Sequence, residues 1–162
     1  MSESNKFQSL IKESEKNKET VFIFWFEETL QRAKNILPGN IQQQFPLIST
    51  KEISSAHLAG KKVIFAEHYP LQQKEKELFE RLHLSEVEIW SAMDEPLFKE
   101  FGSDKIIQMM KQFGMKEDQV IEHNMISKAI HTAQEKIEKK VALDQTSSSQ
   151  EEWLRKNWKV LS

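Results

Sequence analysis

The run TVFIFWF, Thr20–Phe26, carries no charge and is dense in strand-forming residues. A strand covered on both faces has this pattern, as in a parallel sheet. On either side the period lengthens to that of a helix. Phe7, Leu10 and Ile11 predict a short N-terminal helix, and Leu30, Ala33, Ile36 and Leu37 share one face of a second. Pro38-Gly39 stops that helix. Phe45–Ser49 then reads as a short strand, KEISSAHLAG as a short helix ending at Gly60, and Val63–Ala66 as a third strand closed by Pro70. QQKEKELFERLHL predicts a helix with Leu78, Phe79 and Leu82 inward. Val87–Ser91 alternates as an edge strand would, with Val87 and Ile89 opposed to Glu88, Trp90 and Ala92.

After Met93 only helical patterns remain. EPLFKEFG is a short helical turn. SDKIIQMMKQFG carries a stripe of Ile106, Ile107, Met110 and Phe113. NMISKAIHTAQEKIEKKV starts at an Asn cap and carries Ile126, Ala129, Ile130, Ala133 and Ile137 on its apolar face. In the last segment Ser149 and Glu152 stand in capping-box register, and Leu154, Trp158 and Leu161 line one face. The alternation predicts an α/β fold: an open, mostly parallel sheet of about four strands with flanking helices, then a C-terminal helical extension. Residues 1–142 form the α/β domain with its trailing helices. Residues 143–150, LDQTSSSQ, read as a flexible joint, and 151–162 as a C-terminal helix.

Composition narrows the function classes. A formal net charge of -2 gives no field favouring nucleic acid or an anionic membrane. Cysteine is absent, which excludes disulfides and thiolate chemistry. No apolar run reaches the roughly 20 residues that span a bilayer, so the cytoplasm is the expected location. A Walker phosphate loop is missing, and AGKKV has one glycine whose lysines enter a predicted strand. The histidines, His57, His68, His83, His123 and His131, form no pair one helical turn apart, so no metal site is expected. Glu67 and His68 lie at the carboxyl end of a predicted parallel strand, where α/β proteins bind ligands. A Glu–His pair there is a candidate for acid/base work, though neither a nucleophile nor an oxyanion donor accompanies it. Trp153 and Trp158 either fold back on the core or dock on a partner as a helix in a groove.

The stretch from Met93 to Glu138 resembles SecA, the ATPase motor of bacterial preprotein translocation. The matching residues are Met93-Asp94-Glu95, Leu97, Phe101-Gly102-Ser103, Met109-Met110, Gly114-Met115, Ile121-Glu122-His123 and Met125–Glu138, in that order. Upstream, Glu67 and His68 echo a glutamate and histidine at the end of a family strand. Where the family carries a glycine- and arginine-rich motif, this chain reads KELFERLHLSE and keeps only Arg81. Nothing here corresponds to the family's first nucleotide domain.

The resemblance therefore implies a degenerate form of the family's second nucleotide-binding domain, a RecA-like half, with the start of its scaffold helix. It implies a catalytically silent domain acting through protein contact, with no cofactor. The expected partner is another protein or a second copy of the chain. Met125, Ile126, Ala129, Ile130, Ala133 and Ile137, with Trp153 and Trp158, are the candidate interaction surface. A small enzyme using Glu67 and His68, or a regulatory nucleotide binder without hydrolysis, are the alternatives.

Overall fold

The computed structural model describes residues 3–16, 19–101, 103–114 and 124–159. The elements run α1 (Glu3–Lys16), β1 (Thr20–Phe24), α2 (Glu27–Ile36), α3 (Gly39–Gln44), β2 (Leu47–Ser49), α4 (Ser55–Leu58) and β3 (Lys62–Phe65). Then follow α5 (Gln72–Arg81), β4 (Glu88–Ile89), α6 (Pro96–Glu100), α7 (Ser103–Gln112), α8 (Asn124–Glu138) and α9 (Gln150–Asn157). The four strands form one sheet in the order β2-β1-β3-β4, with every pairing parallel.

The uniform run in β1 is explained by burial on both faces. Phe22 and Phe24 pack with Phe7 and Leu10 of α1 and with Leu30 and Ala33 of α2. Val21 and Ile23 point the other way, into a cluster with Leu58 of α4 and Leu78 of α5. The period-two alternation of side chains along a strand thus feeds two separate cores. A third cluster lies beyond the sheet, where Leu97, Phe98, Ile130, Ala133, Ile137, Trp153 and Leu154 bring α6, α8 and α9 together.

Several side chains depart from the sequence pattern. Trp90 and Ala92, set opposite Val87 and Ile89 in the alternation, are both buried; Trp90 joins the cluster under α1 and α2. The strand is at the edge of the sheet and ends at Ile89, so both residues lie beyond it. Ile36 and Phe113, expected in buried stripes, are 47% and 71% exposed. Each stands in or beside the last turn of its helix, past the packed surface. The helix α3 was not foreseen, and none of its residues is buried, so no apolar period could announce it. β2 starts at Leu47, after Pro46, whose carbonyl accepts from the Phe22 N–H. Leu161 and His123 lie outside the described residues.

Candidate functional site

The chain leaves β1 for β2 on one side, then crosses to β3 on the other side of β1. The carboxyl ends of β1 and β3 therefore border a topological switch point, the position where open α/β sheets bind ligands. The turn Trp25–Phe26 follows β1, and Ala66–Pro70 follows β3. The candidate residues Glu67 and His68 sit on the second of these.

Their side chains part. The Glu67 carboxylate crosses the switch point and accepts from the backbone N–H groups of Trp25 (3.1 Å) and Phe26 (3.0 Å), and from the Thr29 hydroxyl (2.7 Å). It thereby serves the amino end of α2, whose N-cap residue Phe26 has no side chain able to do so. Glu67 is 2% exposed. Burial pushes its carboxyl up to about 7; Lys6 opposes the shift and Glu95 adds to it.

His68 turns to α5, with Nδ1 2.9 Å from Oε1 of the buried Glu75. That carboxylate also accepts from the Tyr69 N–H (2.8 Å) and from Gln134 Nε2 of α8 (3.0 Å). Gln134 Nε2 reaches the Tyr69 carbonyl as well (2.8 Å). The strand end is thus tied to α8 by side chains whose roles were invisible in the sequence.

Aromatic rings fill the space above. Tyr69 lies 4.9 Å from Trp25, 5.6 Å from Phe26 and 5.8 Å from Trp153, centroid to centroid. Its hydroxyl donates to both oxygens of Asp144 at 2.7 and 3.0 Å. Trp153 Nε1 donates to the same carboxylate at 2.7 Å. Burial and then the Asp144 contact push the Tyr69 phenol far above its ordinary value, so it stays a donor.

The segment 143–150, expected to be a joint, meets the body repeatedly. Besides Asp144, the Ser148 carbonyl accepts from the Glu28 N–H (3.0 Å), and Gln145 N–H donates to Asn157 (2.7 Å). Gln150 accepts from the Leu97 N–H (2.7 Å) and donates to the His68 carbonyl (3.0 Å). Ser149 caps α9, accepting from the Glu152 N–H at 3.1 Å. The reciprocal half of the capping box goes one residue further back, where Glu152 accepts from the Ser148 N–H and hydroxyl. Lys156 and these donors hold the Glu152 carboxyl down at about 2.

Of the candidate interaction residues, Ile130, Ala133, Ile137 and Trp153 are buried in the cluster between α6, α8 and α9. Ile126 and Ala129 are half-buried, and Met125 is 49% exposed. Trp158 is half-buried against Phe101, with Lys140 Nζ 4.8 Å from the centre of its ring. Two other histidines have separate partners: His57 closes a capping box with Ser54, and His131 meets Gln72. A hollow of about 240 Å³ lies at the opposite, amino end of the sheet, lined by Glu19, Thr20, Gln44, Pro46, Gly60 and Lys61 among others. No described helix is long and apolar enough to cross a membrane.

No family model matches the chain. Over 47 residues, 29% of its length, the chain is 45% identical to the protein translocase subunit SecA of Acidithiobacillus ferrooxidans. Over the same length it is 43% identical to that of Psychrobacter cryohalolentis and 40% identical to that of Acinetobacter baumannii. The match spans 5% of the length of each of these relatives. One region of the chain is therefore similar to SecA.

Proposed function

We propose that this chain is a SecA-like domain that hydrolyses no nucleotide and works through protein contact, in a setting connected with preprotein translocation. The observation that carries the first part is the occupied switch point. A phosphate there would need free backbone N–H groups at the start of α2. The N–H groups of Trp25 and Phe26 already donate to Glu67, and the ring of Tyr69 packs against the side-chain rings of the same two residues. A nucleotide would have to displace a buried carboxylate and an aromatic cluster from positions they fill. The same geometry gives an acid/base reading little support, because Glu67 and His68 are turned to different partners.

Contact as the mode of action is supported by Phe113, just beyond α7, and Met125 on α8, exposed by 71% and 49%. Singly exposed apolar side chains are ordinary on protein surfaces, so these two positions mark where the contact is to be tested. Similarity to SecA over 47 residues supports the translocation setting. The partner is another protein or a second copy of the chain.

Phosphate release from ATP by the purified chain tests the silent reading. The expected rate equals that of the buffer. Steady release that a single substitution abolishes would sink it. For the contact surface, Phe113→Glu with Met125→Glu should abolish concentration-dependent association in sedimentation. Association unchanged by both substitutions would move the contact elsewhere.

A further inference from the structure

The C-terminal segment is braced against itself as well as against the body. Asn157 Oδ1 accepts from the Gln145 N–H at 2.7 Å, and Asn157 Nδ2 donates to the Gln145 carbonyl at 3.0 Å. One side chain at the end of α9 thus holds both backbone groups of a residue near the start of the segment. Trp153 Nε1 reaches back to Asp144 at 2.7 Å, and the Ser148 N–H reaches Glu152 at 2.8 Å. These bonds travel with the segment whether or not it touches anything else.

Upstream, α8 is finished off before the segment begins. The Lys140 and Val141 N–H groups both donate to the Ile137 carbonyl, at 3.0 and 2.9 Å, and Val141 packs on the cluster shared by α6, α8 and α9. Asp144 opens the braced unit. Between them stand Ala142 and Leu143, both exposed, and among the described residues neither makes a hydrogen bond. Leu143 is a large apolar side chain, 71% exposed.

We propose that Asp144–Asn157 unlatches as one body about a hinge at Ala142–Leu143 and docks in the same groove of a second copy, each copy lending its α9 to the other. The groove selects this occupant. It offers the Leu97 N–H and the His68 carbonyl to Gln150, and the Tyr69 hydroxyl to Asp144. It offers the Glu28 N–H to the Ser148 carbonyl, and an apolar floor to Trp153 and Leu154. A foreign helix would have to match all of these, whereas a second copy matches them by identity. Reciprocal exchange re-forms every contact that unlatching breaks. Two hinge residues span at most about 7 Å, so the two bodies come side by side at position 143. Each Leu143 then stands near its counterpart across a two-fold axis and leaves water, a gain that the closed monomer lacks. Against this, a short tether holds α9 near its own groove at an effective concentration on the order of millimolar. The closed monomer therefore dominates dilute solutions, and exchange appears as the chain approaches that concentration. Neither Phe113 nor Met125 takes part, so failure here leaves the contact test above standing.

The chain has no cysteine, so a thiol pair can be introduced cleanly. Glu28 and Ser148 are exposed and their backbones are hydrogen-bonded at 3.0 Å, so Glu28→Cys with Ser148→Cys puts two thiols in bridging range. Ordinary and isotope-labelled variant should be mixed, equilibrated at about 10 μM and at about 1 mM, and then oxidised. Mass spectrometry then reads the disulfide-linked peptides. Exchange predicts light-to-heavy peptides joining positions 28 and 148, rising at least about tenfold between the two concentrations. Same-mass pairs alone at both concentrations would overturn it. So would comparable amounts of peptides joining 28 to 28 or 148 to 148, which mark random collision. The unmodified chain gives a second reading by native-state hydrogen exchange. Amides from Gln145 to Asn157 should share one opening while those of β1 and β3 stay protected. Piecemeal opening within the segment, or opening only together with the sheet, would also overturn the proposal.

Discussion

The two ends of the sheet are built in opposite ways. At the carboxyl end, the switch point between β1 and β3 is packed with Glu67, Tyr69, Trp25, Phe26 and Trp153. Its polar atoms mostly find partners within the chain, and α9 is drawn over it through Asp144 and Gln150. At the amino end, Thr20, Pro46, Gly60 and Lys61 border an open hollow. A ligand-binding α/β sheet leaves its carboxyl end accessible. Here that end has been given over to holding the C-terminal segment, so position in the fold alone does not identify a binding site.

If that contrast is right, damage to the carboxyl end should be severe and damage to the amino end slight. The largest effect is expected from ending the chain after Ala142. Without Trp153 and Leu154, the apolar side chains of α6 and α8 lose their cover. Dye binding and light scattering should rise sharply, while the circular dichroism of the sheet and remaining helices is largely kept. A truncated protein that stays monomeric and binds no dye would dissolve the contrast.

Trp153→Ala comes next. The indole is fully buried and its N–H is bound to Asp144. Its loss should cost about 3–5 kcal/mol in urea unfolding. Tyr69→Phe keeps the ring stack and removes the hydroxyl, leaving Asp144 with the Trp153 donor. A cost of about 1–2 kcal/mol is expected by the same measurement.

At the amino end a side-chain loss should be small, and only a change that strains the backbone should match Tyr69→Phe. Gly60 has φ 71 and nothing within 4 Å of an added Cβ, so Gly60→Ala meets backbone strain and no clash. It should cost about 1–2 kcal/mol. Lys61→Ala, at an exposed side chain on the rim of the hollow, should stay within about 0.5 kcal/mol. A larger loss at Lys61 than at Tyr69 would invert the comparison.

The contrast itself was only half legible in the sequence. The parallel sheet was readable because β1 is buried on both faces and its residues show it as an unbroken apolar run. The stretch after β3 was readable as a strand end, and so Glu67 and His68 could be singled out. Their partners could not be. Glu67 reaches across to residues 25, 26 and 29, and Tyr69 reaches Asp144, contacts set by tertiary packing that leave no local period. Lys6 left a faint trace: it shares a helical face with Leu10, one turn on, where an apolar residue would be usual. Asp144 left none, because a carboxylate in a polar segment reads as solvated. The chain's own polar groups filled the site that the pattern had located.

The central claim is that these groups close the switch point to nucleotide. Calorimetric titration of the intact chain with magnesium ATP addresses it directly. The account predicts no saturable heat below about 1 mM nucleotide. Saturable binding in the micromolar range would contradict it, because Glu67 and Tyr69 could not then be holding the positions that the phosphates require.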